Sequence, residues 1–197
     1  MPTLAYSIRN ALYLNITNRC SNNCSFCIKF NSSTFQENDL FLDKEPSFEE
    51  IMAAIAPFSD FDEVVFCGYG ESLIRLEIVK QVAEAVKQYY SVRVRVNTDG
   101  QANLVHGRNI IPELAGKVDC LSVSLNAPDA ETYMQLCQTP FGAAGFTAVC
   151  DFIRLAAAEI PEVIASVVLV PSLDVEACKA LALSLGASFR LRSYYEE

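Results

Sequence analysis

The chain has 197 residues, 51% of them apolar, which suits one ordinary globular domain with room for a sizeable core. Its formal net charge of −9, with no run of Lys or Arg, excludes a nucleic-acid partner held through phosphate contacts, because such binding needs a basic face. The longest wholly apolar stretches, such as "VVLV" at 167–170, fall far below the roughly 20 residues that span a bilayer, so no membrane segment is expected.

The opening "MPTLAYSIRN" runs into a strand pattern and lacks the apolar core and cleavage site of a signal peptide, so a cytoplasmic location is expected. Apolar strand-like runs follow at 11–17, 63–68, 92–98, 120–127, 163–170 and 189–195. Helical patterns lie between most of them. "PSFEEIMAAIAPF" places Ser47 and Glu50 in capping-box register and repeats Phe48, Ile51, Met52 and Ile55. Leu76, Val79, Ala83, Val86 and Tyr90 form the next stripe, and Phe146, Val149, Ile153, Ala156 and Ile160 a third. "DVEACKALALSLG" ends on Gly186, where a helix C-terminus favours glycine.

Strand then helix, repeated, predicts parallel strands with right-handed crossovers. Parallel strands covered by helices on both faces should be apolar on both sides, and these are not. Val92, Val94 and Val96 alternate with Arg93, Arg95 and Asn97, and Leu121, Val123 and Leu125 alternate with Ser122, Ser124 and Asn126. The pattern predicts an α/β fold of the partial (β/α)6 TIM-like barrel type, with helices outside and a polar concave face. No linker or repeat divides the chain, so residues 1–197 read as a single domain. The one long irregular connection, 28–46, carries Phe30, Phe35, Leu40, Phe41 and Leu42. It reads equally as a lid over a site or as a patch packed on the barrel side.

Eight cysteines are present, and Cys67, Cys120, Cys137, Cys150 and Cys178 are scattered singly in strand-like or helix-like segments, as reduced core residues would be. The other three, Cys20, Cys24 and Cys27, form C-x3-C-x2-C directly after the first strand. A structural zinc site normally has four ligands, and the chain offers one histidine, His106, and no second C-x2-C pair. Three thiols with an open fourth position suit a site that must bind something else, an iron–sulfur cluster included, and zinc stays open on this motif alone. "CGYGES" at 67–72 ends the second strand. Its glycines permit close approach of backbone to a ligand, and Glu71 offers a carboxylate at the same rim, although alone the turn is ordinary.

Together these motifs resemble the radical S-adenosylmethionine (radical SAM) superfamily. The carriers are Cys20, Cys24 and Cys27 with Phe26 before the last cysteine, and "GYGES", which looks like the family's Gly-Gly-Glu-Pro motif with Tyr69 and Ser72 as departures. The short length, "LYLNITNRCSNNCSFC" and "NTDGQANLVHGRNI" look most like the small single-domain TatD-associated radical SAM proteins.

The resemblance implies a [4Fe–4S] cluster on the three cysteines and S-adenosylmethionine chelated to the open iron. Reductive cleavage would then yield a 5′-deoxyadenosyl radical that abstracts hydrogen from a small-molecule substrate. It further implies that Gly68, Tyr69, Gly70 and Glu71 hold the methionine amino group and that Phe26 lies near the adenine. Ser124 and Asn126 would approach the ribose or carboxylate with Asn97 nearby, and Val168 and Leu169 would meet the adenine. A one-electron donor such as a flavodoxin or ferredoxin is the implied partner. An activase that makes a glycyl radical on a partner protein and a non-catalytic zinc-stabilised binding module remain as alternatives. Arg95, Arg192 and Asp99 are candidate substrate contacts. Arg95 and Arg192 read equally as floor residues paired with Glu63, Asp119 or other carboxylates, the role favoured for Arg93 and Arg190.

Overall fold

The computed structural model describes residues 2–30 and 34–194. In chain order it forms β1 (Ala5–Ile8), β2 (Ala11–Leu14), a two-stranded ribbon of β3 (Thr34–Phe35) and β4 (Asn38–Asp39), α1 (Phe48–Ile55), β5 (Glu63–Phe66), α2 (Leu76–Tyr89) and β6 (Arg93–Thr98). There follow α3 (Ala102–His106), α4 (Ile111–Leu114), β7 (Cys120–Ser124), α5 (Ala130–Cys137), α6 (Ala143–Glu159), β8 (Glu162–Val168), α7 (Val175–Ser184) and β9 (Ser188–Arg192). The seven-stranded sheet has the order β1-β2-β5-β6-β7-β8-β9, parallel throughout except for β1, which pairs antiparallel with β2. This is an α/β sheet of the partial TIM-like barrel type, with one added antiparallel edge strand.

Each expected parallel strand is present, several of them shorter than the sequence reading. The first stops at Leu14 because Asn15 turns its amide to the 28–46 connection, donating to Leu40 O at 2.8 Å and to Thr3 O at 3.2 Å. The last occupies 188–192; the expected end at residue 195 lies outside the described residues. β1 was not separated from the first run by sequence. It closes on β2 with Ala5 opposite Leu14 and Ile8 opposite Ala11, through Arg9 at φ +54°.

Side-chain alternation sets the two faces. Leu12, Leu14, Val64, Phe66, Val94, Val96, Leu121 and Val123 are fully buried beneath the helices, against Ile51, Val79, Val86, Phe152 and Ile153. The opposite face carries Tyr13, Arg95, Asn97, Ser122, Ser124, Ser166, Arg190 and Arg192 in neighbouring register, and this is the polar concavity. The capping box at α1 forms as its sequence requires: Ser47 Oγ accepts from Glu50 N at 3.3 Å, and Glu50 Oε2 accepts from Ser47 N at 2.8 Å. Gly186 lies just beyond α7 at φ +85°, a conformation that favours glycine.

The 28–46 connection is strapped to the barrel side over its described part. Leu40 packs with Tyr6 and Tyr69 in a small second apolar cluster, Leu42 is buried, and Thr3 N donates to Asp39 O at 2.6 Å. Phe30 and Phe41 remain exposed, and residues 31–33 lie outside the description. No described helix is long and apolar enough to cross a membrane.

Candidate active site

The cysteine loop begins where β2 ends, at the C-terminal edge of the sheet. It has little apolar content, so its shape is imposed by hydrogen bonds to other elements. Asn23 N donates to Cys137 O at 3.1 Å and Ser25 N to Leu136 O at 2.9 Å, which seats the loop on the last turn of α5. Buried Asn22 donates to Tyr133 OH at 3.2 Å and accepts from Gln101 Nε2 at 2.5 Å. Gln101 in turn donates to Tyr133 OH at 3.2 Å and accepts from Thr139 Oγ1 at 2.6 Å. Ser21 Oγ donates to Asp99 Oδ2. The loop is therefore clamped between the end of β6 and α5 by buried polar side chains that are satisfied by one another.

Sequence reading missed this clamp. Asn22, Gln101, Tyr133 and Thr139 follow no motif, and α5 buries only Tyr133 and Cys137 over its eight residues, too little for a periodic signal. In the structure the helix starts on Asp129, which accepts from Thr132 N at 2.8 Å as an N-cap.

The three thiols are half-buried. Burial, followed by the negative charges of Asp99 and Glu71, pushes Cys20 up to about 12. A side-chain hydrogen bond with Cys137, then burial, raises Cys24, and burial raises Cys27. Such thiols become ligands only when positive charge arrives with the metal. Among the described residues no three His, Cys, Asp or Glu side chains converge as a single ion would need. An all-sulfur donor set of three thiols on one loop is the ligand chemistry that an iron–sulfur cluster takes.

The Gly-Glu turn is pressed onto that loop. Glu71 N donates to Arg19 O at 2.7 Å, and a Cβ on Gly70 would lie 2.4 Å from both Thr17 O and Arg19 O, so only glycine fits there. A Cβ on Gly68 would meet Asn15 Oδ1 at 2.0 Å. Tyr69 is buried in the small apolar cluster with Tyr6 and Leu40, which gives its ring a packed place where the family pattern has glycine. Buried Glu71 accepts from Leu73 N and Thr98 Oγ1, both at 2.9 Å, through Oε1, and from Asp99 N at 2.6 Å through Oε2. Burial, then the charge of Asp99, raises the Glu71 carboxyl well above the ordinary range, and burial raises Asp99. Neither carboxylate has an ion-pair partner among the described residues.

The remaining candidates divide between the rim and the floor. Asn126, at φ +58°, accepts from Val168 N at 3.4 Å and donates to Cys137 Sγ at 3.7 Å. Ser124 accepts from Arg192 at 3.2 Å. Phe26 packs partly buried against the main core; Val168 is buried and Leu169 is exposed beside it. Arg192 sits in the concavity, open to solvent yet surrounded by protein that lowers its pKa by desolvation. Arg95 is committed lower down, to Glu63 at 2.9 Å, Asn97 Oδ1 at 3.3 Å and Tyr13 OH at 3.4 Å. Asp119 pairs instead with Lys87, and Arg93 with Glu162. His106 is away from the site, its Nε2 2.8 Å from Leu73 O.

One cysteine reading changes. Cys67 is half-buried rather than core, on the concave side beside Asn97, because strand alternation turns it inward. Cys137 is buried as expected, and its carbonyl accepts from Asn23 N in the cysteine loop.

The sequence model of the radical SAM superfamily matches residues 14–184. The chain belongs to the radical SAM superfamily. Solved structures share its fold at low identity. A radical SAM methyltransferase from Sphaerobacter thermophilus aligns with TM-score 0.63 and 15% identity over 96% of this chain and 68% of that one. SuiB from Streptococcus suis gives 0.65 and 13% over 91% and 38%, and an archaeal TYW1 gives 0.61 and 11% over 94% and 65%. The radical SAM chain thus spans roughly two fifths to two thirds of those proteins. No curated protein matches it. Members of the superfamily normally bind a [4Fe–4S] cluster and S-adenosylmethionine, which disfavours a non-catalytic zinc module, and the glycyl-radical activase is not favoured either.

Proposed function

We propose that residues 1–197 form one radical SAM core domain in which Cys20, Cys24 and Cys27 hold a [4Fe–4S] cluster beside a bound S-adenosylmethionine. The observation that carries this reading is the Glu71–Asp99 pair. Two buried carboxylates stand beside the thiol loop with no cation of the described chain against them, and buried anions are stable only when paired. S-adenosylmethionine brings both an ammonium and a sulfonium. The chemistry supplied by the bound groups is one-electron cleavage of that sulfonium to methionine and a 5′-deoxyadenosyl radical, for hydrogen abstraction from substrate.

The chain's own residues bind and orient. Glu71 and the backbone of Gly68, Tyr69 and Gly70 receive the ammonium. Asn97, Ser124 and Asn126 address the ribose and carboxylate, and Phe26, Val168 and Leu169 flank the adenine. Arg192 faces the remaining concavity and is the substrate-side contact, Asp99 is taken up in the pair with Glu71 and by Ser21 and Gln101, and Arg95, neutralised by Glu63, holds the floor. The substrate is a small molecule and the electron donor an external flavodoxin or ferredoxin. The eight free thiols favour a reducing compartment such as the cytoplasm. The compact core and its loop sequences support the TatD-associated subgroup.

Anaerobic iron and sulfide analysis tests the cluster. About four of each per chain are expected, lost in Cys20→Ala, Cys24→Ala and Cys27→Ala. Colourless protein with a single zinc would end this reading.

A further inference from the structure

β9 turns two arginines into the concavity. Phe189 packs against the main core on the helix side, so alternation along the strand sends Arg190 and Arg192 to the concave face, about 7 Å apart along the strand. Both are exposed, so a ligand can reach them. Arg192 crosses β8 to donate from Nη2 to Ser124 Oγ at 3.2 Å, at the end of β7, and its other N–H groups have no acceptor among the described residues. Arg190 has neither a hydrogen-bond acceptor nor an ion-pair partner among them.

The chain carries 24 Asp and Glu against 15 Lys and Arg, so carboxylates are in excess. On the same face Arg93 is paired with Glu162 and Arg95 with Glu63. Glu162 is held low by its bond to Arg93 first, and Arg190 acts on it only from beyond ion-pair distance. Two neighbouring guanidinium groups without a carboxylate therefore do not reflect a shortage of acids. Desolvation lowers the Arg192 pKa, and the like charge of Arg190 acts in the same direction. An arginine does not deprotonate in response, so the repulsion is relieved when an anion arrives.

The pair lies across the concavity from Glu71 and Asp99. Those acids follow β5 and β6, and β9 stands three strands beyond β6 in the sheet. The ammonium and carboxylate of S-adenosylmethionine are carried on one carbon, so an ammonium at Glu71 keeps that carboxylate on the acid side. We propose that Arg192 and Arg190, with Ser124 holding the Arg192 fork, form an oxyanion site for the substrate, which therefore carries a carboxylate or a phosphate. A guanidinium fork matches either group with two parallel hydrogen bonds. The anion anchors the substrate on the β9 side while the acid side holds the cofactor. This inference rests on the radical SAM reading proposed above.

The test is phenylglyoxal labelling of guanidinium groups in the full chain, read arginine by arginine by peptide mass spectrometry. Labelling is compared in sodium chloride, inorganic phosphate and succinate at equal ionic strength. Phosphate or succinate is expected to slow labelling of Arg192 and Arg190, and the more protective anion names the group. Arg9, exposed in the β1–β2 turn with no ion-pair partner among the described residues, is the control and is expected to label equally throughout. Arg192→Gln is expected to weaken the protection of Arg190 by about 10-fold or more. Equal labelling of Arg192 in all three salts, or equal protection of Arg9, would overturn the proposal.

Calorimetry on the iron-loaded chain separates substrate from cofactor. Arg192→Gln is expected to bind S-adenosylmethionine within about twofold of wild type. A loss of about 10-fold or more would give the guanidinium to the cofactor's own carboxylate and overturn the proposal. Protection of both arginines in a wild type that takes up no iron would uphold the anion site and end the radical reading, so the two fail separately.

Discussion

Asp99 donates its backbone N–H to Glu71 Oε2 at 2.6 Å while its own carboxylate lies close enough to raise the Glu71 pKa. The chain thus holds two acids together in a buried place, supported by Thr98, Leu73, Ser21 and Gln101 as donors but by no described cation. That arrangement is costly when empty and favourable when an ammonium enters.

The pH dependence follows with a definite sign. Both folded carboxyls lie above their unfolded values, so their contribution to stability is fully present below the ordinary carboxylate range and is lost as pH rises through the raised folded values. The cofactor-free chain is expected to melt at lower temperature at pH 8 than at pH 5, and Glu71→Gln to flatten that slope. Thermal unfolding across pH, monitored by circular dichroism, checks this; a Glu71→Gln slope equal to wild type would contradict it. The same substitution removes a charge-assisted contact and is expected to weaken S-adenosylmethionine binding by about 10- to 100-fold, measured by calorimetry.

Gly70 and Tyr69 should respond in opposite ways. Gly70→Ala drives a methyl into Thr17 O and Arg19 O and is expected to cost about 1–3 kcal/mol and to lower iron retention. Tyr69→Gly, which restores the family pattern, empties the contact with Tyr6 and Leu40. It is expected to cost about 3–5 kcal/mol, as large-to-small core changes do, without tightening cofactor binding. Denaturant titration and iron analysis of the two variants separate a backbone fit from a packing role.

Arg95 and Arg192 are expected to part company. Arg95→Met leaves half-buried Glu63 without its cation and should destabilise the fold by about 1–3 kcal/mol, below the range for a fully buried broken pair. Arg192→Met removes a cation with no ion-pair partner among the described residues. It should leave stability within about 0.5 kcal/mol while altering turnover once a substrate is known. Equal melting temperatures for the two variants would contradict this division.

Tyr133→Phe deletes the hydroxyl shared by Asn22 and Gln101, and buried amide donors without partners cost about 1–3 kcal/mol. Because those amides clamp the cysteine loop, the variant is expected to release iron faster on chelator challenge as well as to melt earlier. Early melting with unchanged iron release would place the hydroxyl in the fold alone.

Much of the barrel was legible because strand alternation is a local signal. Arg93, Arg95 and Asn97 against Val94 and Val96 marked the polar and apolar faces without any knowledge of neighbours. Contacts that join distant segments were not legible. β1 has four residues, and buried Tyr6 finds its partners in Leu40 and Tyr69. The pairing of Arg95 with Glu63 was one of two open readings and needed the register of β5 and β6 to settle it. Nothing in "MQLC" announces that the carbonyls of Leu136 and Cys137 hold the cysteine loop through Ser25 N and Asn23 N.

The central claim is that three thiols and the Glu71–Asp99 pair form one radical-generating site. The direct measurement is 5′-deoxyadenosine, quantified chromatographically after anaerobic incubation of the reduced, iron-loaded chain with S-adenosylmethionine. Formation by wild type, abolished in Cys24→Ala and sharply reduced in Glu71→Gln, is the expected result. Fully loaded, reduced wild type that binds S-adenosylmethionine and yields no 5′-deoxyadenosine would contradict it.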